Sequence, residues 1–398
     1  MPGAEPPGPE PPSADPVPRG LEPPGYESQP LRVSTLELFF DLVFVFTITQ
    51  LTGILSRDLT AVGALRVLLV FAVLWWMYGG YAWLTNARTP ALLPERLLLL
   101  LGMVGFLVIG LAIPEAFARR GEAVALGLGY LLVVVVHGAL YQRLNRNILR
   151  LVPFNVLSAL LVIAAGVFGV SAGGAQPACY ALWIAALAVQ ALSPLIVPPQ
   201  GRFSVQPAHF VERHGALIIV AFGESVADIG IGAADHPVTP GLIAPAALGL
   251  ALAAALWWAY FGVGDDERAE EAMTRADPAA RAGLALTAYF YAYIPILLGI
   301  VTLAAGVKKA IGEAASTTDY RTSLALGGGV ALYLAGDAAF RHVLRIGTQR
   351  SRLVAAAAAL AASAVGVTWS AAAEIALLVV IVAAALAADR ETADSVDP

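Results

Sequence analysis

The sequence predicts an all-α, polytopic membrane protein with about twelve transmembrane helices in two parallel six-helix repeats. Three observations carry this prediction. First, 58% of the residues are hydrophobic and only 13% are charged, whereas soluble domains carry about 25% charged residues. Second, long apolar segments follow one another along most of the chain. Third, the second half repeats patterns of the first. The composition by itself excludes an ordinary soluble domain.

Apolar segments long enough for a helix to cross a bilayer core of ~30 Å follow one another from residue 33 onwards. They cover residues 33–55, 63–85, 96–117, 122–141, 151–171, 178–197, 210–232, 241–262, 282–306, 322–343, 353–369 and 372–388. A turn at Trp369 and Ser370 separates the last two. The sequence leaves open whether these are two short crossings or a re-entrant pair.

These segments divide the chain into two predicted six-helix repeats, 33–197 and 207–388, joined by a cytoplasmic linker at 198–206. Residues 1–32 are rich in Pro and Gly and hold few aliphatic side chains, so they cannot bury enough apolar surface to fold. They are interpreted as a disordered cytoplasmic tail. Residues 389–398 are interpreted as a second cytoplasmic tail.

Matched segments support an internal duplication. The pairs are 74–76 with 256–258, 129–144 with 329–344, and 150–169 with 352–370. Their order is the same in both halves, which makes a duplication the simplest account. Because each unit has an even number of spans, both units enter the membrane from the same side. This is the parallel arrangement found between the halves of many secondary transporters.

The distribution of Lys and Arg predicts the orientation. With the N-terminus inside, seventeen of the twenty-four Lys and Arg residues fall in inner segments. Inner loops carry the excess of positive charge in membrane proteins. Both termini are therefore expected in the cytoplasm.

Two carboxylates interrupt the seventh span. If the hydrocarbon begins near Ala216, Glu224 lies about 12 Å deep, and Asp228 lies one turn further on the same face. An ionised carboxylate at that depth costs at least ~3 kcal/mol, so such residues usually face the bundle interior or a wet cavity. Glu224 and Asp228 are predicted to bind substrate or protons. The alternative is a protonated Glu224 that only hydrogen-bonds to a neighbouring helix.

The first span is also polar. Ser34 and Glu37 have the spacing of a capping box, in which each side chain satisfies a free backbone N–H. Asp41 lies one turn deeper on the same face, and no capping geometry accounts for it. Under the duplication, Gln50 falls opposite or beside Glu224. Asp41 and Gln50 are therefore added to the predicted substrate- and proton-binding residues.

A polar cluster precedes the apolar part of the seventh span, at His209, Glu212, Arg213 and His214. Together with Glu37, these residues are interpreted as a gating or structural cluster, with Glu212 and Arg213 at a cytoplasmic gate. His209 and His214 are five positions apart and point to different helix faces. No metal site is predicted there.

His137 and Asp337 occupy matched positions of the two repeats, each inside an apolar span, and are secondary candidates. His137 is either a hydrogen-bonded packing residue or a proton carrier. Asp337 lies one turn from Arg341, so it either neutralises that end of its helix or takes part in function.

Several kinds of site are excluded. The single cysteine, Cys179, excludes an intramolecular disulfide framework and a cysteine-rich metal centre. The sequence has no phosphate-binding loop, nucleophile elbow or zinc-protease signature, and its net charge of −5 gives no indication of nucleic-acid binding. No cofactor and no metal are predicted. The expected partners are the lipid bilayer, a small solute and protons as coupling ion.

The segments ELFFDLVFVFTITQL in the first span and HFVERHGALIIVAFGES in the seventh resemble the bacterial low-temperature-requirement protein A family, and the resemblance extends from about Val33 to Ala388. It implies an integral protein of the bacterial cytoplasmic membrane, named for a growth phenotype in the cold, with no assigned reaction or substrate. The matching motif positions are Glu37, Phe39, Phe40, Asp41, Gln50, His209, Glu212, Arg213, His214, Gly223, Glu224 and Ser225.

Together these observations predict a proton-coupled secondary transporter of a small solute rather than an enzyme. Two alternatives stay open. A non-catalytic membrane component would fit a growth requirement in the cold. A membrane-embedded enzyme acting on a lipid-like substrate could use the same carboxylates as acid and base, although the sequence shows no metal-binding aspartate cluster or basic phosphate pocket.

Overall fold

The computed structural model describes residues 32–88, 90–144, 146–197, 205–262 and 264–394, which are largely helical. The helices of the first half are α1 (Thr35–Arg57), α2 (Ala61–Ala87), α3 (Leu93–Ala112), α4 (Arg120–Leu144), α5 (Val152–Gly169) and α6 (Pro177–Ile196). Those of the second half are α7 (Pro207–Ala233), α8 (Pro240–Phe261), α9 (Asp265–Arg275), α10 (Pro278–Ala285), α11 (Tyr293–Ala310), α12 (Tyr320–Leu344), α13 (Arg350–Thr368) and α14 (Ala371–Asp394).

Short irregular elements join some of these helices. Three turns of 3₁₀-helix lie at Ile113–Glu115, Arg146–Leu151 and Ile311–Glu313, and a π-helix at Leu286–Tyr291 lies between α10 and α11. Strands β1 (Val170–Ser171) and β2 (Gly174–Ala175) form a small antiparallel pair between α5 and α6.

Twelve helical stretches of the described residues are long and apolar enough to cross a membrane. This confirms the twelve predicted spans and indicates a lipid bilayer environment. The ninth span consists of α10, the π-helix and α11 in succession. The last two spans are separate helices, α13 and α14, each of sufficient length to cross.

The predicted tails and linker lie largely outside the described residues. Of the tail 1–32 only Arg32 is described, and of the linker 198–206 only Val205 and Gln206. Helix α14 continues through the segment 389–398 as far as Asp394. Its first residue, Asp389, is a buried member of an ion-pair cluster described below.

The same order of neighbours occurs in both halves. In the first half α3, α4, α5 and α6 each pack against the next helix, and in the second half α11, α12, α13 and α14 do so. Helix α1 packs against α2, α3, α7 and α11. The first helix of the chain therefore lies at the junction of the two halves.

Closely packed glycines mark one crossing in each half. A Cβ placed on Gly129 of α4 would lie 3.0 Å from the backbone oxygen of Gly105 in α3. A Cβ placed on Gly299 of α11 would lie 2.8 Å from the backbone oxygen of Gly329 in α12. Small residues at such points let two transmembrane helices approach closely.

One end of the bundle gathers helix termini from both halves. Helices α7 and α8 are antiparallel, since Gly215 lies against Phe261 while Ile229 lies against Gly249. The start of α7 is therefore beside the end of α8. The start of α1 lies at this end too, because Glu37 contacts His209. We call it the N-terminal end of the bundle.

Candidate functional site

The first buried charge cluster joins the starts of α1 and α7. Arg213 Nη2 lies 2.9 Å and Nε 3.3 Å from Asp41 Oδ1, and Nη1 lies 3.5 Å from Glu37 Oε1. These three side chains are at most 2% exposed. Breaking a buried ion pair costs about 3–5 kcal/mol, because an uncompensated charge is left behind. The cluster therefore holds α1 and α7 together.

The end of α2 completes this cluster. Thr85 accepts a hydrogen bond from Arg213. Asn86 makes two hydrogen bonds with the backbone of Gln206, each 3.0 Å long, and its side-chain nitrogen lies 3.2 Å from Nδ1 of His209. His209 Nε2 lies 3.1 Å from Glu37 Oε1. Three helices thus meet around one arginine.

Glu37 has two sets of partners. Its Oε2 accepts from the backbone N–H of Ser34 at 2.9 Å and from the Ser34 hydroxyl at 2.7 Å, and the Glu37 N–H donates to Ser34 Oγ at 3.3 Å. The predicted capping box is therefore confirmed. The other carboxylate oxygen faces His209 and Arg213. Glu37 is both the cap of α1 and a member of the buried cluster.

Aromatic rings enclose the guanidinium of Arg213. Its central carbon lies 5.7 Å from the ring centre of Phe40 and 5.6 Å from that of Tyr78, within the range of cation–π attraction. Phe44 stacks on Tyr78 at 4.3 Å, and Trp75 stacks on it at 5.2 Å. The cluster is thus closed off by rings on the side that faces the bundle interior.

The other members of the predicted gating cluster lie apart from these ion pairs. His214 faces a separate group of rings, with Tyr289 at 4.9 Å and Tyr293 at 5.2 Å, and its Nδ1 lies 2.8 Å from the Phe210 carbonyl. Glu212 is exposed and accepts from the backbone N–H of Val33 at 3.2 Å. The described residues place neither side chain against Arg213's carboxylate partners.

A second buried charge cluster lies at the same end of the bundle, and sequence reasoning missed it. Arg341 Nε lies 2.8 Å from Asp265 Oδ2, and its Nη1 lies 2.9 Å from Asp389 Oδ2. Arg352 lies 3.1 Å from both Asp389 and Asp337. The five side chains join α9, α12, α13 and α14. Asp337 thus pairs with α13, rather than only neutralising the end of its own helix.

His137 lies among aromatic side chains. Its imidazole is buried 5.1 Å from the ring of Tyr81 and 4.6 Å from that of Tyr141, and it lies against Gly80. His137 therefore contacts two aromatic rings and a glycine of α2. Its counterpart Asp337 makes an ion pair instead, so the two matched positions have different surroundings.

The deeper predicted residues do not join either cluster. Glu224 is partly exposed and makes no hydrogen bond or ion pair with any described residue. Asp228 is buried and lies 2.9 Å from Lys308 of α11. Gln50 is partly buried. Glu224 follows Arg213 by eleven positions on α7, which places it about 16 Å further along the helix.

Several cavities lie near the ends of helices. The one of about 980 Å³ lies between α9, α10 and the end of α12, one of about 700 Å³ lies between α13 and α14, and one of about 240 Å³ is lined by Arg66 and Phe117. None of these three is lined by Glu224. Within the described ranges, no group of three or more His, Cys, Asp or Glu side chains could hold a metal ion.

Twelve apolar helices around paired, buried charges define a multi-pass integral membrane protein. Residues 32–388 match the family model of the bacterial low temperature requirement A protein (LtrA). The uncharacterized protein RA0937 of Rhizobium meliloti is 30% identical over 322 residues, which cover 78% of each chain. The chain belongs to the bacterial low temperature requirement A family, as its motifs indicated. Four of the motif residues, Glu37, Asp41, His209 and Arg213, meet in the first cluster.

Proposed function

We propose that the protein is a proton-coupled secondary transporter of a small solute in the bacterial cytoplasmic membrane. The observation that carries this proposal is the charge of the first cluster. Glu37 and Asp41 contribute two negative charges and Arg213 one positive charge, so the cluster holds an excess of one negative charge while His209 is neutral. Uncompensated buried charge costs several kcal/mol. Binding of one proton to the cluster removes this excess negative charge.

Asp41 is the favoured position for that proton. Its Oδ1 already accepts both hydrogen bonds from Arg213. Its Oδ2 is buried and makes no hydrogen bond of standard geometry with a described residue, and the buried Tyr78 hydroxyl lies close to this carboxylate. A proton on Oδ2 would leave the contacts with Arg213 in place and would weaken the attraction between α1 and α7. Proton binding would thus be coupled to the strength of a helix–helix contact.

This contact joins the two predicted repeats near one end of the bundle. We propose that residues 33–197 and 207–388 are parallel repeats, supported by the matched glycine crossings and by the equal order of helix neighbours. Helices α1 and α7 would then be equivalent. Secondary transporters bind substrate and coupling ions where their repeats meet, and they work by moving one repeat against the other. Glu224 is the second proton-binding candidate of this interface.

One alternative has an observation in its favour. Both charge clusters fasten several helices together at the same end of the bundle. A non-catalytic membrane component that supports growth in the cold would need helices held together in this way, but it would need no side chain that binds and releases protons. The two functions predict different effects of neutralising Asp41 or Glu224. A proton-coupled transporter would lose its pH-dependent activity, whereas a non-catalytic component would keep its activity.

The test is growth in the cold of a deletion strain carrying variants of this protein, at external pH values between about 5 and 8. We expect Asp41→Asn and Glu224→Gln to insert and fold as the wild type does but to abolish the pH-dependent complementation. Asp58→Asn is the control, because Asp58 lies at the far end of α1 in a partly exposed pair with Arg66. Full wild-type growth from both variants at every pH would overturn proton coupling and favour the non-catalytic component.

A further inference from the structure

The backbone of Gln206 fixes the orientation of the Asn86 side chain. Asn86 Nδ2 donates to the Gln206 carbonyl, and Asn86 Oδ1 accepts from the Gln206 N–H, both at 3.0 Å. A backbone N–H can only donate and a carbonyl can only accept. Turning the amide over would lose both bonds at once. Asn86 is 1% exposed, so water does not replace them.

The fixed amide determines the proton on His209. Asn86 Nδ2, which has no acceptor capacity, lies 3.2 Å from His209 Nδ1. Nδ1 must therefore accept and carry no proton. The single proton of the neutral ring is left on Nε2, which lies 3.1 Å from a Glu37 carboxylate oxygen. The observed contacts are consistent only with a neutral His209.

We infer that Asn86 is a positioning residue that holds His209 neutral and makes the contact between the end of α2 and the start of α7 a proton-operated latch. A second proton on His209 can enter only at Nδ1, where the Asn86 NH₂ group already points. It enters when Asn86 leaves Gln206, and this removes the Asn86 contact between α2 and the start of α7, while the hydrogen bond between Thr85 and Arg213 remains. The role of the latch in transport rests on the proposed function, whereas the latch itself does not.

The charged and titratable groups around His209 come from α1 and from α7. On α1, the Glu37 carboxylate faces His209, and Asp41 lies one turn further along that helix. On α7, Arg213 lies one turn beyond His209, and Glu212 and His214 are its neighbours in the chain. From α2, the facing groups are Asn86 and Thr85, which do not titrate. With the latch closed, the cluster can become neutral only through a carboxylate, and with the latch open His209 can take the proton instead.

The experiment is nitrogen-15 NMR of the full-length protein with labelled histidine, in detergent micelles or liposomes. The chain has five histidines, and the His209 signals are identified by their loss in His209→Gln. We expect one protonated and one unprotonated ring nitrogen for His209 near neutral pH. In Asn86→Asp, the new carboxylate can only accept, so both ring nitrogens of His209 should be protonated. Asn155→Asp, which changes another buried asparagine, should leave His209 unchanged.

A protonated Nδ1 in the wild-type protein near neutral pH would overturn the latch, and this measurement does not depend on the folding of any variant. An unchanged His209 in a folded Asn86→Asp protein would also overturn it. If the spectra are as expected while Asp41→Asn and Glu224→Gln still complement fully, the latch stands and proton-coupled transport falls. If the spectra differ from these expectations while both variants lose pH-dependent complementation, the latch alone is overturned.

Discussion

At the scale of single residues, Arg213 is the centre of the first cluster. Its three nitrogens serve two carboxylates and a hydroxyl on two other helices. A guanidinium can do this because it is planar and presents five N–H groups in a fixed fork, whereas an ammonium is a point charge. Lysine at this position would keep the charge and lose the geometry.

We expect Arg213→Met to lower the free energy of unfolding by about 3–5 kcal/mol, because two carboxylates then stay buried without a cation. Arg119→Met is the control, since Arg119 is 69% exposed in its ion pairs and such pairs contribute at most about 1 kcal/mol. Thermal or denaturant unfolding of the purified protein in detergent measures both. Adding Asp41→Asn to Arg213→Met should recover part of the loss. Equal effects of the Arg213 and Arg119 variants would contradict the central role of Arg213.

At the scale of elements, the ninth span departs from regular helix for an identifiable reason. Pro295 has no backbone N–H to bond with the carbonyl four residues earlier, at Tyr291. The π-helix Leu286–Tyr291 ends at that carbonyl. Within it, the Phe290 carbonyl accepts a hydrogen bond from Trp75 Nε1 at 3.0 Å. An irregular turn of the second half is thereby tied to α2 of the first half.

The crossing of α11 and α12 gives a prediction with a matched neighbour. A Cβ on Gly329 would lie 2.7 Å from the Leu303 Cα and closer still to its backbone nitrogen, whereas a Cβ on Gly328 would meet only side-chain atoms at 3.8 Å or more. We expect Gly329→Ala to destabilise the protein by about 1–3 kcal/mol through overpacking. Gly328→Ala should change stability little. Unfolding of the two variants in detergent, compared side by side, checks this. Similar stability of both would mean that α11 can move away at no cost.

At the scale of the whole molecule, the two charge clusters and the positive loops share one end of the bundle. Under the positive-inside rule, the excess of Lys and Arg predicts that this end faces the cytoplasm. The β1–β2 hairpin, which contains Gly174, lies between α5 and α6 at the opposite end. The predicted orientation can therefore be tested at a few loops, on both sides of the membrane.

Reporter fusions test this orientation directly. Fusions after Arg146 and after Arg345 should both report a cytoplasmic position, and a fusion after Gly174 should report an external one. The measurement is the activity of a reporter that works on only one side of the membrane, such as alkaline phosphatase or a fluorescent protein. A cytoplasmic signal at Gly174 would exclude the twelve-span arrangement.

The spans were predictable from the sequence because a run of apolar residues is a local property. Glu37, Asp41, His209 and Arg213 could also be singled out from the sequence, since each is polar within or beside an apolar segment. Their pairing was not, because it depends on which helices become neighbours. The second cluster escaped prediction for a related reason. Asp265, Arg352 and Asp389 lie near helix ends, where charges are ordinary, and only the fold shows that they are buried.

Asp41 and Arg213 are separated by 172 positions in the chain, so Asp41 is synthesised well before its ion-pair partner. A ribosome that adds about 5–20 residues per second needs roughly 9–34 s to make the intervening chain. During that time α1 has been synthesised with two carboxylates and without the cation that pairs with them. Until α7 has been made, the two carboxylates of α1 have no arginine partner. A nascent chain that stops before Arg213 would therefore lack the ion pairs that join α1 to α7.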